Sequence, residues 1–190
     1  MRDTPLFDRV FGSSFVTPVF DDYSRGASYQ NLLLYSEELE NTAWFSNTSS
    51  GNTFTRTDDY ADGPEAGARA SRIQMTLGGG TGTAYLRQVV SGLTAGSGAI
   101  GLWVKSNDAN SYSVFVGLNG SGSNRSIGAD WAFYQYGRNH TGSMDINIGL
   151  RDAWGTGSDA DILIWAPRMQ NGTLTLEQDE YTKTEGSASL

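Results

Sequence analysis

Cysteine is absent from the 190 residues of this sequence, and only one histidine occurs, His140. The missing thiols exclude a disulfide scaffold, thiolate zinc sites, iron–sulfur clusters and a cysteine nucleophile. A catalytic Ser-His-Asp triad would have to use His140, yet the chain has no Gly-x-Ser-x-Gly turn, and Arg138–Gly142 reads as a solvated loop. We therefore predict a protein that is not an enzyme.

Basic side chains are also scarce. Lys105 and Lys183 are the only lysines, and 13 Lys and Arg against 21 Asp and Glu give a formal charge of −8. This balance argues against nucleic-acid binding, which depends on cations that neutralise phosphates. The sequence has no run of about 18 apolar residues, so we predict no membrane-spanning helix. The first residues also lack the apolar centre of a signal peptide. We expect folding in the cytosol and release by lysis.

Glycine and aromatic residues, in contrast, are abundant. The chain has 24 glycines, 12% aromatic residues and only 18% charged residues, a profile of many short strands joined by small polar turns. Period-two alternation is clear over 71–77, 84–90, 100–105 and 112–118. The segment 31–35 is a short apolar run that suits a buried strand, and 52–56 and 173–177 are weak strands. The segments 131–136, 144–150 and 162–165 complete the set. We predict an all-β fold, an antiparallel β-sandwich of the jelly-roll type with an extended N-terminal arm.

The first 30 residues differ from the rest. They hold four of the eight phenylalanines, Phe7, Phe11, Phe15 and Phe20, and no regular alternation. We predict an attachment arm over 1–30, a jelly roll over 31–186 and a polar tail over 187–190. The arm either folds back on its own domain or docks its phenylalanines on another subunit, because exposed phenylalanines at this density favour aggregation.

Two groups of aspartates raise the question of a metal. Asp58, Asp59 and Asp62 form one group and Asp159 and Asp161 the other. Calcium takes six to eight oxygen ligands, but the twelve-residue EF-hand spacing fails here. We expect solvated turn aspartates and predict no metal and no cofactor, with a structural calcium ion as the alternative.

Aromatic residues crowd the segment 130–136. On a strand Trp131 and Phe133 share one face, and Tyr134 and Tyr136 share the other. The two tyrosines could stack on sugar rings beside Asp130, Gln135 or Arg138 as hydrogen-bonding neighbours. The alternative is that tyrosines simply suit a half-buried sheet surface.

Several motifs are similar to one known family. The segment 31–44, NLLLYSEELENTAW, resembles the opening of a jelly-roll domain found in virion proteins of tailed bacteriophages. YLRQV, LWVKS, ADILIWAPRMQNG and YTKT then follow in the family's order, at 85–89, 102–106, 160–172 and 181–184. Met169 and Gln170 depart from the leucine and glutamate usual in the last strand. The resemblance implies a virion structural protein with a fold similar to carbohydrate-binding modules.

The arm and the resemblance together lead to one main prediction. We expect a non-enzymatic capsid decoration (cement) or head-fibre protein, located in the virion after assembly in the host cytoplasm. Its arm would contact another virion protein, foremost the major capsid protein, and the protein would be a homo-oligomer, with a trimer as one candidate. The alternative is a tail-associated or surface carbohydrate-binding module that contacts host glycans through Tyr134 and Tyr136. A glycan-degrading enzyme is a third reading, with little in the sequence to favour it.

Overall fold

Ten antiparallel strands make up the described part of the fold. The computed structural model describes residues 31–176, 181 and 183–186. The strands are β1 (Phe45–Thr48), β2 (Thr53–Asp62), β3 (Arg69–Thr76), β4 (Thr83–Ser91), β5 (Gly96–Ser106), β6 (Tyr112–Leu118), β7 (Ser121–Ile127), β8 (Ala132–His140), β9 (Ser143–Arg151) and β10 (Asp159–Asn171). The predicted arm, with Phe7, Phe11, Phe15 and Phe20, and the predicted tail lie outside the described residues.

The strands form two five-stranded sheets. The first sheet has the order β1-β4-β9-β6-β7 and the second the order β2-β3-β10-β5-β8, with every neighbouring pair antiparallel. Side chains from the inner faces of both sheets meet in one core. The predicted antiparallel β-sandwich of the jelly-roll type is confirmed.

Alternation along the strands builds this core. Ile100, Leu102 and Val104 of β5 are buried, while the intervening Trp103 and Lys105 are only partly covered. The same pattern gives β6 its inward Val114 and Val116. Each fully buried aliphatic side chain contributes about 1.5–3 kcal/mol. The inward faces predicted for 71–77, 100–105 and 112–118 are therefore the core faces.

The segment 31–35 is not the strand that its apolar run predicts. Leu33 is fully buried, but the backbone N–H of Leu32 donates to Met169 O (2.8 Å) and that of Tyr35 to Glu185 O (3.1 Å). A strand needs a repeated ladder with one neighbour, whereas this segment divides its bonds between β10 and the C-terminal residues. Residues 173–176 also lack the predicted strand.

The C-terminal residues cover part of the outer face of the second sheet. Leu176 is buried, and the ring of Tyr181 lies 5.5 Å from that of Trp165. The guanidinium of Arg168 lies 4.7 Å from the centre of the Phe133 ring. The chain itself therefore covers part of this face.

Candidate functional site

The outer face of the first sheet carries a row of aromatic and amide side chains. Directly paired residues on neighbouring strands point to the same side of a sheet. One such row runs across all five strands through Asn47, Tyr85, Gly149, Phe115 and Asn124. Gly149 separates the two rings, so the row has a gap at its centre.

Trp154 packs over this gap. It ends a short 3-10 turn, Asp152–Trp154, that follows β9. Its ring stacks on Phe115 with centroids 3.9 Å apart and meets Tyr85 at 5.1 Å. A Cβ at Gly149 would lie 2.5 Å from Cα of Tyr85, and its φ is +153°, so only glycine fits here.

Hydrogen bonds fix the turn that carries Trp154. The Asn124 Nδ2 donates to Trp154 O (2.7 Å) and to Gly155 O (2.9 Å). The Arg151 N–H donates to Thr156 Oγ1 (2.9 Å), and the Arg151 guanidinium lies 5.0 Å from the Trp154 ring centre. The indole is therefore held in place from β7 and from both sides of its own turn.

A pocket of about 360 Å³ opens beside Trp154, and we call it the Trp154 pocket. Its lining consists of three aromatic rings, two polar side chains and two glycines: Phe115, Tyr136, Trp154, Ser121, Asn124, Gly120 and Gly122. No hydrogen bond joins the Tyr136 hydroxyl to another described residue, which leaves it available to a ligand. The volume lies in the range that holds one small ligand.

A polar group lies beside the pocket on the same sheet face. Arg87 Nε is 2.9 Å from the Asp145 carboxylate, and Asn147 Nδ2 donates to Asp145 Oδ1 at 2.7 Å. Burial raises the pKa of Asp145, and the Arg87 guanidinium partly offsets that effect. Asn147 pairs with Gly117, which in turn pairs with Gly122 of the pocket lining.

The chemistry of the Trp154 pocket is that of binding. Its described lining offers aromatic faces, an amide and two hydroxyls, and no carboxylate or imidazole. Stacking on the rings would hold an apolar ligand face, and the polar groups would fix its orientation by hydrogen bonds. This combination suits a small polyhydroxylated ring.

Of the residues predicted to bind sugar, the structure brings Tyr136 into the pocket. Tyr134 packs against the core beside it, and its hydroxyl donates to Ser126 O at 2.7 Å. The Arg138 guanidinium is within 3.5 Å of carbonyl oxygens at the β6–β7 turn, and Asp130 is exposed in the loop before β8. Gln135 accepts the Leu176 N–H through Oε1 (2.7 Å). The sugar-binding role of these residues stays a prediction.

Trp154 and Phe115 were missed by the sequence reasoning. Trp154 lies in DAWGTG, a glycine-rich turn outside every predicted strand. A tryptophan that no strand needs for its core is a signal that could have found the site. No comparable signal marks Phe115 in the sequence, because this residue alternates with core residues in an ordinary strand.

His140 is not the solvated loop residue that the sequence predicts. It ends β8 and is 6% exposed. Its Nε2 is 2.8 Å from Asn171 Oδ1, and its Nδ1 accepts the Gly142 N–H at 3.2 Å. Both ring nitrogens are thus occupied by protein, which gives the histidine a structural position between β8 and β10.

Three of the five aspartates considered for metal binding have protein partners instead, and one of them is Asp62, which pairs with Arg69 at 2.7 Å. Asp58 accepts the N–H groups of Leu39 and Glu40, and Asp161 pairs with Arg72 at 2.5 Å. All five lie in β2 or β10, so the expectation of turn aspartates is wrong. Across the part of the chain that the structure describes, no group of three or more acidic or histidine side chains is placed to hold a metal ion.

Comparison with known proteins yields similarity of structure only. Neither the protein-family models nor the curated protein sequences contain a match. Solved structures do match, and jelly-roll carbohydrate-binding modules are prominent among them. Helices long and apolar enough for a membrane span are not found in the described ranges.

Three of these structures illustrate the likeness. A xylanase 10B fragment of Clostridium thermocellum with CBM22-1 and GH10 modules, complexed with xylohexaose, has a TM-score of 0.50 at 8% identity over 80% of this chain and 30% of its own. A family 11 carbohydrate-binding module of the same organism, complexed with a mixed-linked tetrasaccharide, has a TM-score of 0.45 at 14% identity, covering 79% and 99%. The enzymatically active domain of tailspike protein 4 of bacteriophage CBA120 has a TM-score of 0.48 at 15% identity; the match covers 74% of this chain but spans only 21% of the tailspike chain. At these identities the likeness concerns the fold alone.

Proposed function

We propose that this chain is a glycan-binding module of a phage virion, and that the Trp154 pocket is its sugar site. The observation that carries the proposal is the convergence of Trp154, Phe115 and Tyr136 around about 360 Å³, with Asn124 and Ser121 in the same lining. The three rings come from different parts of the sandwich, and an amide anchors the one from the turn.

The chemistry of the pocket favours a neutral sugar. A pyranose presents axial C–H groups on one face and hydroxyls around its rim, which suits a pocket whose aromatic walls are bordered by amide and hydroxyl groups. The chain carries a net charge of −8, and the nearby Arg87 is already paired with Asp145. An acidic polysaccharide would therefore meet an unfavourable overall field.

The link to a phage virion rests on the sequence motifs described above. Under this proposal the module contacts host-surface glycans and does not cleave them. Attachment to a capsid as a decoration or head-fibre protein is compatible with glycan binding, because the predicted arm and the Trp154 pocket are separate parts of the chain. The partner on the particle and the oligomeric state stay predictions.

Glycan binding by the purified full chain tests the proposal. We expect neutral glycans on an array to bind the wild type and Trp154→Ala to weaken that binding at least about tenfold, which corresponds to about 1.4 kcal/mol. Isothermal titration of the best glycan would measure the difference.

The matched control is Trp131→Ala, which removes an indole of similar partial exposure from the second-sheet side of the sandwich. We expect this variant to bind like the wild type. A wild type that binds no glycan, or a control that loses as much affinity as Trp154→Ala, would refute the site. Near-ultraviolet circular dichroism would verify that both variants keep the native packing.

A further inference from the structure

An apolar groove lies at the opposite edge of the first sheet from the Trp154 pocket. It encloses about 440 Å³, and its apolar lining is Leu32, Leu34, Ala43, Phe45, Val89 and Val90. We call it the β4 groove. Phe45 is 57% exposed and Val89 is 41% exposed, two of the few large apolar side chains that the described fold leaves in solvent. Such a cluster marks an interaction site.

The strand edge beside this groove is open. The short β1 pairs only with residues Ala84 to Arg87 of β4. From Gln88 to Ser91 β4 continues past the end of β1, and on that side no described strand pairs with it. An unpaired strand edge next to exposed apolar side chains is a template for an added extended segment.

We infer that the N-terminal segment of the same chain, through the stretch 15–20, occupies the β4 groove. Leu32 lines the groove, and the described chain begins one residue before it. A chain spans up to about 3.3–3.6 Å per residue, so Phe20 can lie anywhere within about 40 Å of Leu32. The stretch reads Phe-Val-Thr-Pro-Val-Phe, which is rich in the aromatic and β-branched residues that suit a strand edge.

Charge and tethering favour this occupant over others. Residues 1–30 carry three arginines and four aspartates, so they bring one net negative charge to a chain whose remainder carries seven. A tether of this length gives the segment a millimolar effective concentration at its own groove, which a second copy would have to match in solution. The inference selects one of the two alternatives that the sequence left for the arm, and it does not depend on glycan binding.

Disulfide trapping in the full chain tests the inference. Since the chain has no native cysteine, Phe20→Cys with Val89→Cys introduces the only two thiols. We expect an intrachain disulfide that forms at least about tenfold faster than in the control pair Phe20→Cys with Tyr60→Cys, at a rate independent of protein concentration. Tyr60 is 42% exposed and lies on β2 in the second sheet, so it matches Val89 in accessibility.

Each other outcome overturns the inference. Equal rates for the two pairs would show that the segment has no preference for the β4 groove. Disulfide-linked dimers that form mainly with the groove pair, at a rate rising with concentration, would identify a second copy as the occupant.

Hydrogen–deuterium exchange provides a readout without cysteines. In the full chain carrying Phe15→Asp and Phe20→Asp, those amides of 88–91 that do not face β9 should exchange at least about tenfold faster than in the wild type, because a charged side chain cannot enter the groove. Exchange at 146–150, in the centre of β9, should be unchanged. Identical exchange at 88–91 in both proteins would also overturn the inference.

Discussion

At the scale of single residues, Asp108 shows how one exposed carboxylate organises a turn. Between β5 and β6 it accepts hydrogen bonds from the Tyr112 hydroxyl (2.7 Å), the Ser106 hydroxyl (2.9 Å) and the Asn110 N–H (3.1 Å). These bonds, with that of Tyr112 the largest contributor, lower the pKa of Asp108 from 3.8 to about 2. The carboxylate therefore favours the folded state in its ionised form.

The lowered pKa of Asp108 predicts a loss of stability in acid. A folded-state pKa below the unfolded value means that the stabilisation is complete above about pH 4 and disappears as pH falls through about 2. We expect Asp108→Asn to show a smaller drop in the free energy of unfolding between about pH 5 and pH 2 than the wild type in urea titrations. Asp130→Asn, in an exposed loop, should keep the wild-type pH dependence; an unchanged slope in Asp108→Asn would contradict the prediction.

Gly149 has the opposite kind of role, since its contribution is a missing side chain. Because it lies between Tyr85 and Phe115, it leaves the space in which Trp154 stacks on the sheet. The sequence shows that glycine is abundant, but it does not show which glycine faces a tryptophan about five residues later across a turn.

At the scale of elements, β10 depends on an irregularity. Its pairing with β5 shifts register between Trp165 and Arg168, and Ala166 has a φ of +51°. Ile162 and Ile164 point into the core before this bulge, and Met169 does so after it. Without the extra residue the alternation would direct Arg168 into the core instead of over the Phe133 ring.

The bulge predicts a contrast between two alanines of the same strand. Ala166→Gly should leave the free energy of unfolding within about 0.5 kcal/mol of the wild type, because relief of the left-handed strain offsets the lost methyl group and the added chain entropy. Ala160→Gly, buried at a regular position, should cost about 1–2 kcal/mol. Chemical denaturation measures both, and equal losses would contradict a strained bulge.

The elements that the sequence predicted best are those with uninterrupted alternation. The inward faces of β3, β5 and β6 follow directly from their period-two pattern. The bulge breaks that pattern in β10, which is why only 162–165 of a strand that extends to Asn171 was predicted. The strand predicted at 31–35 was wrong because its apolar run reflects burial alone. Burial does not specify a strand when the backbone hydrogen bonds go to two different neighbours.

At the scale of the whole molecule, hydrogen bonds join residues from the two ends of the described chain. The Ser36 and Tyr181 hydroxyls are 2.8 Å apart, and the Thr184 N–H donates to Ser36 Oγ at 3.0 Å. Burial raises the pKa of Tyr181, so its phenol stays neutral and retains this bond at alkaline pH. The Tyr181 ring also covers Trp165.

Substitution of Tyr181 separates the two parts of this contact. Tyr181→Phe removes only the hydroxyl and should lower the free energy of unfolding by about 1 kcal/mol. Tyr181→Ala also uncovers Trp165 and should cost about 2–3 kcal/mol, with a red shift of tryptophan fluorescence in the folded protein. If both variants matched the wild type in guanidinium unfolding, the contacts of Tyr181 with Ser36 and Trp165 would not contribute to stability.

The candidate site is the least predictable feature because it exists only in the assembled sandwich. Phe115 comes from β6, Tyr136 from β8 and Trp154 from the turn after β9. The sequence singled out Tyr136 from local crowding of aromatic residues, but it gave no reason to group it with the other two. Which strands lie side by side is decided by long-range pairing, and single-sequence alternation carries no information about that.

The strand order also has a consequence for synthesis. β9 lies between β4 and β6 in the first sheet, and β10 lies between β3 and β5 in the second. Without these two strands the remaining eight can form only four separate two-stranded ribbons: β1–β4, β2–β3, β5–β8 and β6–β7. Such ribbons are marginal in water. The ribosome must therefore have synthesised β9 before the first sheet can close and β10 before the second, and until then the nascent protein exposes the apolar faces that later form its core.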